Sequence, residues 1–199
     1  MKLHLKTGDE LQGRLTIQPL NLVMVFQVNC PGCLLHALPL LEKISVKYPA
    51  LNCFALSTAF EDYYLNTEAN TRRLLDESFM TQAPARHFLR LGIKSWPYQI
   101  NCPVVMDWFV GSDRFEKLST EALSLLDEDS MSPELKQRVS THFKERVASE
   151  FRRGRTFMNN DLQGTPSWII FDDEMQIRQQ WFGNKPEEWV IDLIDRELA

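Results

Sequence analysis

Apolar and polar positions in the first third of the chain follow a strand–helix–strand pattern. The run LNLVMVFQV at 20–28 is apolar almost throughout, which is typical of a strand buried on both faces of a sheet. Residues 34–49 then carry apolar side chains at helical spacing as far as Pro49, and LNCFALST at 51–58 predicts a second short strand. This order predicts a βαβ unit with parallel strands.

The middle of the chain is predicted to be mainly helical. Helices are expected over 61–79 and 84–93, followed by a strand over 99–107 in which Pro103 indicates a sheet edge or a bulge. From 112 to 158 two amphipathic segments predict a two-helix insertion.

The C-terminal part returns to strands and ends in a helix. Residues 165–173 and 176–183 are separated by a short polar turn and predict an antiparallel hairpin. A terminal helix is expected over 185–198, with a buried stripe formed by Trp189, Leu193 and Ile194. Residues 1–199 are therefore predicted to form one α/β domain with an α-helical insertion.

Charge and hydropathy exclude two classes of partner. The formal net charge is −5, whereas a nucleic-acid-binding protein needs a basic face for phosphate, so no nucleic-acid partner is expected. No apolar run approaches the roughly 18 residues of a membrane span, so no membrane partner is expected. The N-terminus MKLHLKTGDE lacks the apolar core of a signal peptide, which predicts a cytoplasmic location.

Two of the four cysteines, Cys30 and Cys33, lie at the junction between the first predicted strand and its helix. They could be a redox pair, half of a metal site, or two neighbouring core cysteines. Free N–H groups and the dipole at the start of a helix would stabilise a Cys30 thiolate, with Cys33 one turn later on the same face. Pro31 suits an early helical position because it lacks an N–H, and Gly32 leaves the backbone open to a substrate. This arrangement favours the redox pair.

The other two cysteines, Cys53 and Cys102, lie in or beside apolar strands and are predicted to be buried as small apolar residues. A structural zinc site needs four ligands, and a single cysteine pair supplies only two of them. The histidines show no ligand spacing, so no metal is expected; they are His4, His36, His87 and His142.

Two motifs carry a resemblance to a known family. NCPGC follows the first long strand, and GTPSWIIFDD opens the late hairpin. Together they resemble the active-site cysteine motif and the cis-proline strand of the thioredoxin-like superfamily, most closely its redoxin-type thiol–disulfide oxidoreductases. The resemblance implies a thioredoxin-like fold: a central mixed sheet, flanking helices and the two-helix insertion before the cis-proline strand.

The same resemblance implies a function and a site. Cys30 would be the nucleophile and Cys33 the resolving thiol of a thiol–disulfide oxidoreductase. The Thr165–Pro166 bond would be cis, and Gly164 and Thr165 would line the substrate groove. The implied partners are protein thiols and disulfides, together with a reductase or another thiol as electron donor. No bound cofactor is implied.

The chain departs from the family pattern at three places. The central pair of the motif is Pro-Gly, where the family usually has Gly-Pro, and Asn29 replaces a common tryptophan. Met24 stands where many members carry a buried acid that handles the second cysteine's proton. A water, Glu42, Asp62 or His36 would have to take that role, or no group does.

Two other functions remain open at this point. The chain could be a redox-inactive binding or scaffold protein that uses the helical insertion as its partner surface. It could also be a thiol peroxidase, although a peroxiredoxin needs Thr or Ser three residues before its attacking cysteine, where this chain has Gln27. The preferred function is a cytoplasmic oxidoreductase acting as a reductase, since the glutathione pool would reduce an oxidant there.

Overall fold

The computed structural model describes residues 1–109 and 153–199, together with the single positions 132, 134, 135, 137, 138 and 141. Most of the predicted two-helix insertion at 112–158 lies outside the described residues. After this gap, the described residues resume at Arg153.

The described residues form one mixed sheet with helices on its faces. The strands are β1 Thr7–Gln12, β2 Leu20–Phe26, β3 Asn52–Ser57, β4 Val104–Asp107, β5 Ser167–Asp172 and β6 Ile177–Phe182. A π-helical turn Cys33–Ala37 leads into α1 Leu38–Lys47, and the other helices are α2 Glu68–Glu77, α3 Gln82–Arg90, α4 Arg155–Asn159 and α5 Glu187–Leu198.

The strand order is β1-β4-β3-β2-β5-β6. Strand β2 pairs in parallel with β3, and β3 pairs in parallel with β4, which confirms the predicted βαβ unit. Strand β5 is antiparallel to both β2 and β6, so the predicted hairpin is also confirmed. Strand β2 therefore lies inside the sheet with neighbours on both edges, and the chain leaves its carboxyl end directly into the cysteine motif.

The core occupies both faces of the sheet. Along β2, Leu22, Met24 and Phe26 face a cluster that includes α1 and α5, whereas Val23 and Val25 face a second cluster that includes α4. All five side chains are fully buried. The apolar run at 22–26 of β2 is explained by this two-sided burial.

Several predicted boundaries were wrong. Helix α2 begins after Thr67, whose side chain accepts a hydrogen bond from Asn70 N at 3.2 Å, and not at residue 61. The preceding segment turns at Asp62, which has a positive φ of 48°. Strand β4 begins only after Pro103, because proline has no N–H to add to the sheet.

The buried stripe of α5 also differs from the prediction. Val190, Leu193 and Ile194 are buried, while Trp189 is 41% exposed. Trp189 lies with its ring at the edge of Trp181, at a centroid distance of 5.6 Å. The tryptophan therefore covers the rim of the core and does not enter it.

Strand β1 was not predicted. Its sequence TGDELQ is polar, and none of its residues is fully buried. It pairs antiparallel with β4 at the edge of the sheet, with irregular register. An edge strand of this kind lacks the apolar pattern by which strands are recognised.

No helix in the described part of the chain is long and apolar enough to cross a membrane.

Candidate functional site

The cysteine motif forms the start of a helix. Pro31 and Gly32 are already helical, and Cys30 lies immediately before them. The Cys30 carbonyl accepts hydrogen bonds from Cys33 N at 3.1 Å and Leu34 N at 3.2 Å. The Cys30 sulfur accepts from Cys33 N at 3.4 Å, as the side chain of a helix N-cap residue does. The first cysteine therefore lies where backbone N–H groups favour a negative charge.

The second cysteine begins a π-helical turn whose hydrogen-bond register ends at Pro39. Leu38 N donates to the Cys33 carbonyl, five residues back. The next bond in that register would come from residue 39, but proline has no N–H. The Leu34 carbonyl accepts instead from Trp96 Nε1 at 3.0 Å, and Trp96 is buried. The turn that carries Cys33 is thus held by a side chain from outside its helix.

The two thiols have opposite environments. Cys30 is half-buried, and its pKa is lowered to about 6, chiefly by the hydrogen bond from the Cys33 thiol. Backbone N–H groups and the Thr165 hydroxyl also lower this pKa, and burial opposes them. Burial raises the pKa of Cys33 well above its ordinary value, and the neighbouring Cys30 raises it further. At neutral pH the site therefore holds an accessible thiolate beside a buried thiol.

The loop before β5 lies against this pair. The Thr165–Pro166 bond is cis, and the Cys30 sulfur lies 3.6 Å from the Thr165 carbonyl oxygen. Gly164 and Pro166 are buried, and Thr165 is half-buried. A Cβ on Gly164 would lie only 2.7 Å from the ring of Phe182, so a side chain there would displace that ring. The five predicted substrate-binding residues Pro31, Gly32, Gly164, Thr165 and Pro166 are thus grouped around Cys30.

The loop after β6 completes this group, and no motif in the sequence indicated it. Gly183 N donates to the Pro166 carbonyl at 2.8 Å, and Asn184 Nδ2 donates to the Gly32 carbonyl at 3.3 Å. The ring of Phe182, which is 49% exposed, flanks Gly164. Through these contacts the loop after β6 connects the cis-proline loop with the cysteine motif, and the three segments form one continuous surface.

Asn29, the residue before Cys30, fixes the position of the motif. Its backbone N donates to Asn66 Oδ1 at 2.9 Å, and its Nδ2 donates to Asp62 Oδ2 at 2.8 Å. Its Oδ1 accepts from Thr81 Oγ1 at 2.9 Å and from Ala83 N at 3.1 Å. The residue before Cys30 is therefore fixed by two loops that are distant in sequence.

Gln27 is a second buried amide at the site. It is 2% exposed, and its Nε2 donates to the Glu61 carbonyl at 3.1 Å. Its Oε1 lies 3.4 Å from Thr165 Oγ1. In the sequence, the only feature that indicates these contacts is the position of Gln27, a polar residue at the end of an apolar run.

No carboxylate in the described residues lies beside the Cys33 thiol. Met24 is fully buried in the apolar core. Glu42 accepts hydrogen bonds from the segment before β4, Asp62 accepts from the residue preceding Cys30, and His36 is exposed. The polar partners of the Cys33 thiol are Cys30, the Gln27 backbone and Thr165, none of them a carboxylate.

Cys53 and Cys102 lie apart from the site and are buried free thiols. Burial raises the pKa of each to about 12. No cluster of three or more His, Cys, Asp or Glu side chains in the described residues could hold a metal ion.

Comparison with known proteins returned structural matches only. No protein-family model matches the chain, and no curated protein matches it either. A thiol-disulfide isomerase from Corynebacterium glutamicum aligns with 98% of this chain and 92% of its own, at 21% identity and a TM-score of 0.58. A thioredoxin-like superfamily protein aligns with 98% of this chain and 95% of its own, at 20% identity and a TM-score of 0.56.

These structural matches agree with the architecture built up from the residues. The mixed six-strand sheet with flanking helices matches that of the similar structures, which confirms the fold predicted from sequence. The chain has the thioredoxin-like fold, with a Cys-X-X-Cys pair at the carboxyl end of its central strand.

Proposed function

We propose that the protein is a thiol–disulfide oxidoreductase that exchanges a Cys30–Cys33 dithiol with disulfides of protein substrates. One observation carries the proposal. The half-buried Cys30 sulfur has its pKa lowered to about 6, and it lies beside the buried Cys33 thiol at the start of a helix. A low thiol pKa and partial exposure are the properties of a reactive cysteine, and a structural cysteine lacks both.

In the proposed reaction, the Cys30 thiolate attacks one sulfur of a substrate disulfide. A Cys30–substrate mixed disulfide forms, and the other substrate sulfur leaves as a thiolate that takes up a proton. Cys33 then loses its proton and attacks the Cys30 sulfur. This step forms the Cys30–Cys33 disulfide and releases the second substrate thiol, so two electrons have passed to the substrate. A reductase or another thiol restores the dithiol.

We propose that the substrate lies over the surface formed by Pro31, Gly32 and the Gly164–Pro166 loop. The Thr165 carbonyl lies 3.6 Å from the Cys30 sulfur, so a chain that binds along this loop is brought to the nucleophile. The absence of a side chain at the half-buried Gly32 leaves the backbone beside Cys30 open to a bound chain.

The direction of electron flow is proposed to be reductive, in the cytoplasm. Related dithiol proteins range from about −270 mV for a reductase to about −120 mV for an oxidant. A cytosolic thiol pool would keep the Cys30–Cys33 pair reduced unless its potential lay near the lower end of that range.

A redox titration in glutathione buffers of set potential tests the proposal. Thiols are trapped by alkylation and counted by mass, in the wild type and in Cys30→Ser and Cys33→Ser variants. The expected result is one two-electron transition that both variants abolish and that Cys53→Ser leaves in place. A midpoint near the thioredoxin value supports the reductive direction. No transition at any potential would refute the proposal and leave the scaffold function, while Cys30-dependent consumption of hydrogen peroxide without exchange would identify a peroxidase.

A further inference from the structure

The orientation of the Gln27 amide follows from its neighbours. The Glu61 carbonyl can only accept a hydrogen bond, so the group 3.1 Å from it must be the amide nitrogen Nε2. The amide oxygen Oε1 consequently faces Thr165 Oγ1 at 3.4 Å. An amide oxygen cannot donate, so the Thr165 hydroxyl must supply the hydrogen of this contact.

The Thr165 hydroxyl has one hydrogen and more than one acceptor. Besides its bond to Gln27 Oε1, Thr165 lies next to the Cys30 sulfur, which is 3.6 Å from the Thr165 carbonyl oxygen, and the hydroxyl lowers the pKa of both cysteine thiols. The 3.4 Å bond to Gln27 is longer than the usual 2.7–2.8 Å between oxygens, so little free energy opposes its breaking. The hydroxyl can therefore turn from the amide to a charged sulfur.

We propose that Gln27 is a positioning residue that competes with the Cys30 sulfur for the single hydrogen of the Thr165 hydroxyl. While Cys30 is a thiol, the hydroxyl donates to Gln27. When Cys30 is a thiolate, the hydroxyl donates to sulfur, and Gln27 Oε1 loses its partner. The inference deepens the proposed function and rests on it, because it concerns how reactive the nucleophile is.

The sign of the effect follows from these two states. Gln27 stabilises only the thiol form, so its removal leaves the hydroxyl unpaired in that form and favours the thiolate. Gln27→Met should accordingly lower the pKa of Cys30. Loss of the hydroxyl in Thr165→Val removes a donor to the thiolate and should raise that pKa.

Charged groups near Gln27 and Thr165 do not explain the expected difference in the pKa of Cys30 between these variants. In the part of the chain that the structure describes, the charged side chains of the surrounding loops are all exposed; they are Glu61, Asp62, Arg153, Asp161 and Lys185. Gln27 meets Glu61 through its main-chain carbonyl and not through its carboxylate. These groups stay in place in every variant, so their effect on Cys30 cancels when the variants are compared.

A double-mutant cycle tests the inference. The pKa of Cys30 is measured from the ultraviolet absorbance of its thiolate against pH, with the matching Cys30→Ser protein subtracted. We expect Gln27→Met to lower this pKa by about half a unit, since a long neutral hydrogen bond contributes less than an ordinary one. In the Thr165→Val background the same change should have no effect, whereas in Thr165→Ser, which keeps a hydroxyl, the lowering should persist.

Two further variants separate this role from a general loss of packing. Gln27→Asn keeps an amide but withdraws it from Thr165, and it should lower the pKa of Cys30 even where Gln27→Met does not fold. Asn21→Leu removes a fully buried amide at the other end of β2, where it donates to the Gln18 and Phe171 carbonyls. That change should lower the melting temperature and leave the pKa of Cys30 unchanged.

The inference is overturned if the Gln27 variants leave the pKa of Cys30 unchanged or raise it, or if they lower it equally without the Thr165 hydroxyl. Disulfide exchange is assayed separately on the wild type. If the wild type exchanges and the cycle shows no coupling, only the role of Gln27 fails. If the wild type does not exchange, the proposed function fails, and the titration still decides whether Gln27 controls the sulfur.

Discussion

Trp96 Nε1 donates a 3.0 Å hydrogen bond to the carbonyl oxygen of Leu34, a residue 62 positions earlier in the chain and next to Cys33. That carbonyl lacks a helical partner because Pro39 stands where the donor of the π-helical turn would be. A buried indole thus satisfies a backbone group of the turn that carries the second cysteine. The geometry of Cys33 depends on a loop between α3 and β4.

Trp96→Phe is expected to destabilise the protein by about 2–3 kcal/mol, through the unpaired Leu34 carbonyl and the lost ring volume. Denaturant unfolding measures the change. Trp181→Phe is the matched control, since Trp181 is also buried but its Nε1 has no hydrogen-bond partner among the described residues. An equal loss in the two variants would show that the hydrogen bond to Leu34 contributes nothing.

Alkylation of the native reduced protein should modify Cys30 first, with a rate that rises with pH through about 6 and levels off above it. The thiolate is the reacting form, so a lowered pKa moves the rise of the rate to lower pH. Cys33→Ala removes the largest cause of that lowering and should shift the midpoint upward. Peptide mass mapping follows each site. Fast labelling of Cys53 or Cys102, whose pKa values are about 12, would contradict their burial in solution.

Gly164→Ala should reduce exchange with a protein disulfide about tenfold while exchange with a small aromatic disulfide is nearly unchanged. The added Cβ would lie 2.7 Å from Phe182 Cε2, so the ring must shift beside the cis-proline loop. That ring is half-exposed and can shift, so the loss of stability should stay near 1 kcal/mol. Phe182→Leu makes room for the Cβ and should restore part of the protein exchange in the double variant. Equal losses with both disulfides would place the defect at Cys30 and not at the groove.

Asp107→Ala is expected to cost about 3 kcal/mol of stability. The carboxylate accepts from Thr156 N at 2.8 Å, Phe157 N at 3.1 Å and Thr58 Oγ1 at 2.7 Å, and the variant leaves these buried donors unpaired. These bonds hold the start of α4 against the end of β4.

The pH dependence of the Asp107 contribution has a definite sign. Burial raises the pKa of Asp107 above its usual value in the fold. Its titration therefore stabilises the fold at pH values below the unfolded pKa, and that stabilisation is lost as the pH rises through the folded pKa. In denaturant unfolding at several pH values, the advantage of the wild type over Asp107→Asn should shrink as the pH rises. A constant difference would show that Asp107 does not titrate differently in the folded protein.

The sequence by itself determined the elements whose signal is local. The two-sided burial of β2 is visible in its apolar run at 22–26, and the Cys30–Cys33 spacing places both sulfurs on one helical turn. The late hairpin is visible as two apolar strands around a polar turn. In each case the information lies within a few residues, because strand and helix periods are properties of the chain's own geometry.

Only the tertiary structure decided how the site is held. The partners of Asn29 are 33 to 54 positions away, and Gln27 and Thr165 are 138 positions apart. The polar strand β1 forms because it pairs with the edge of β4. Trp189 lies outside the core because helix α5 buries Val190 instead. Such contacts follow from how the sheet and loops pack together, and a buried hydrogen bond stabilises the fold only when both partners arrive at the same place.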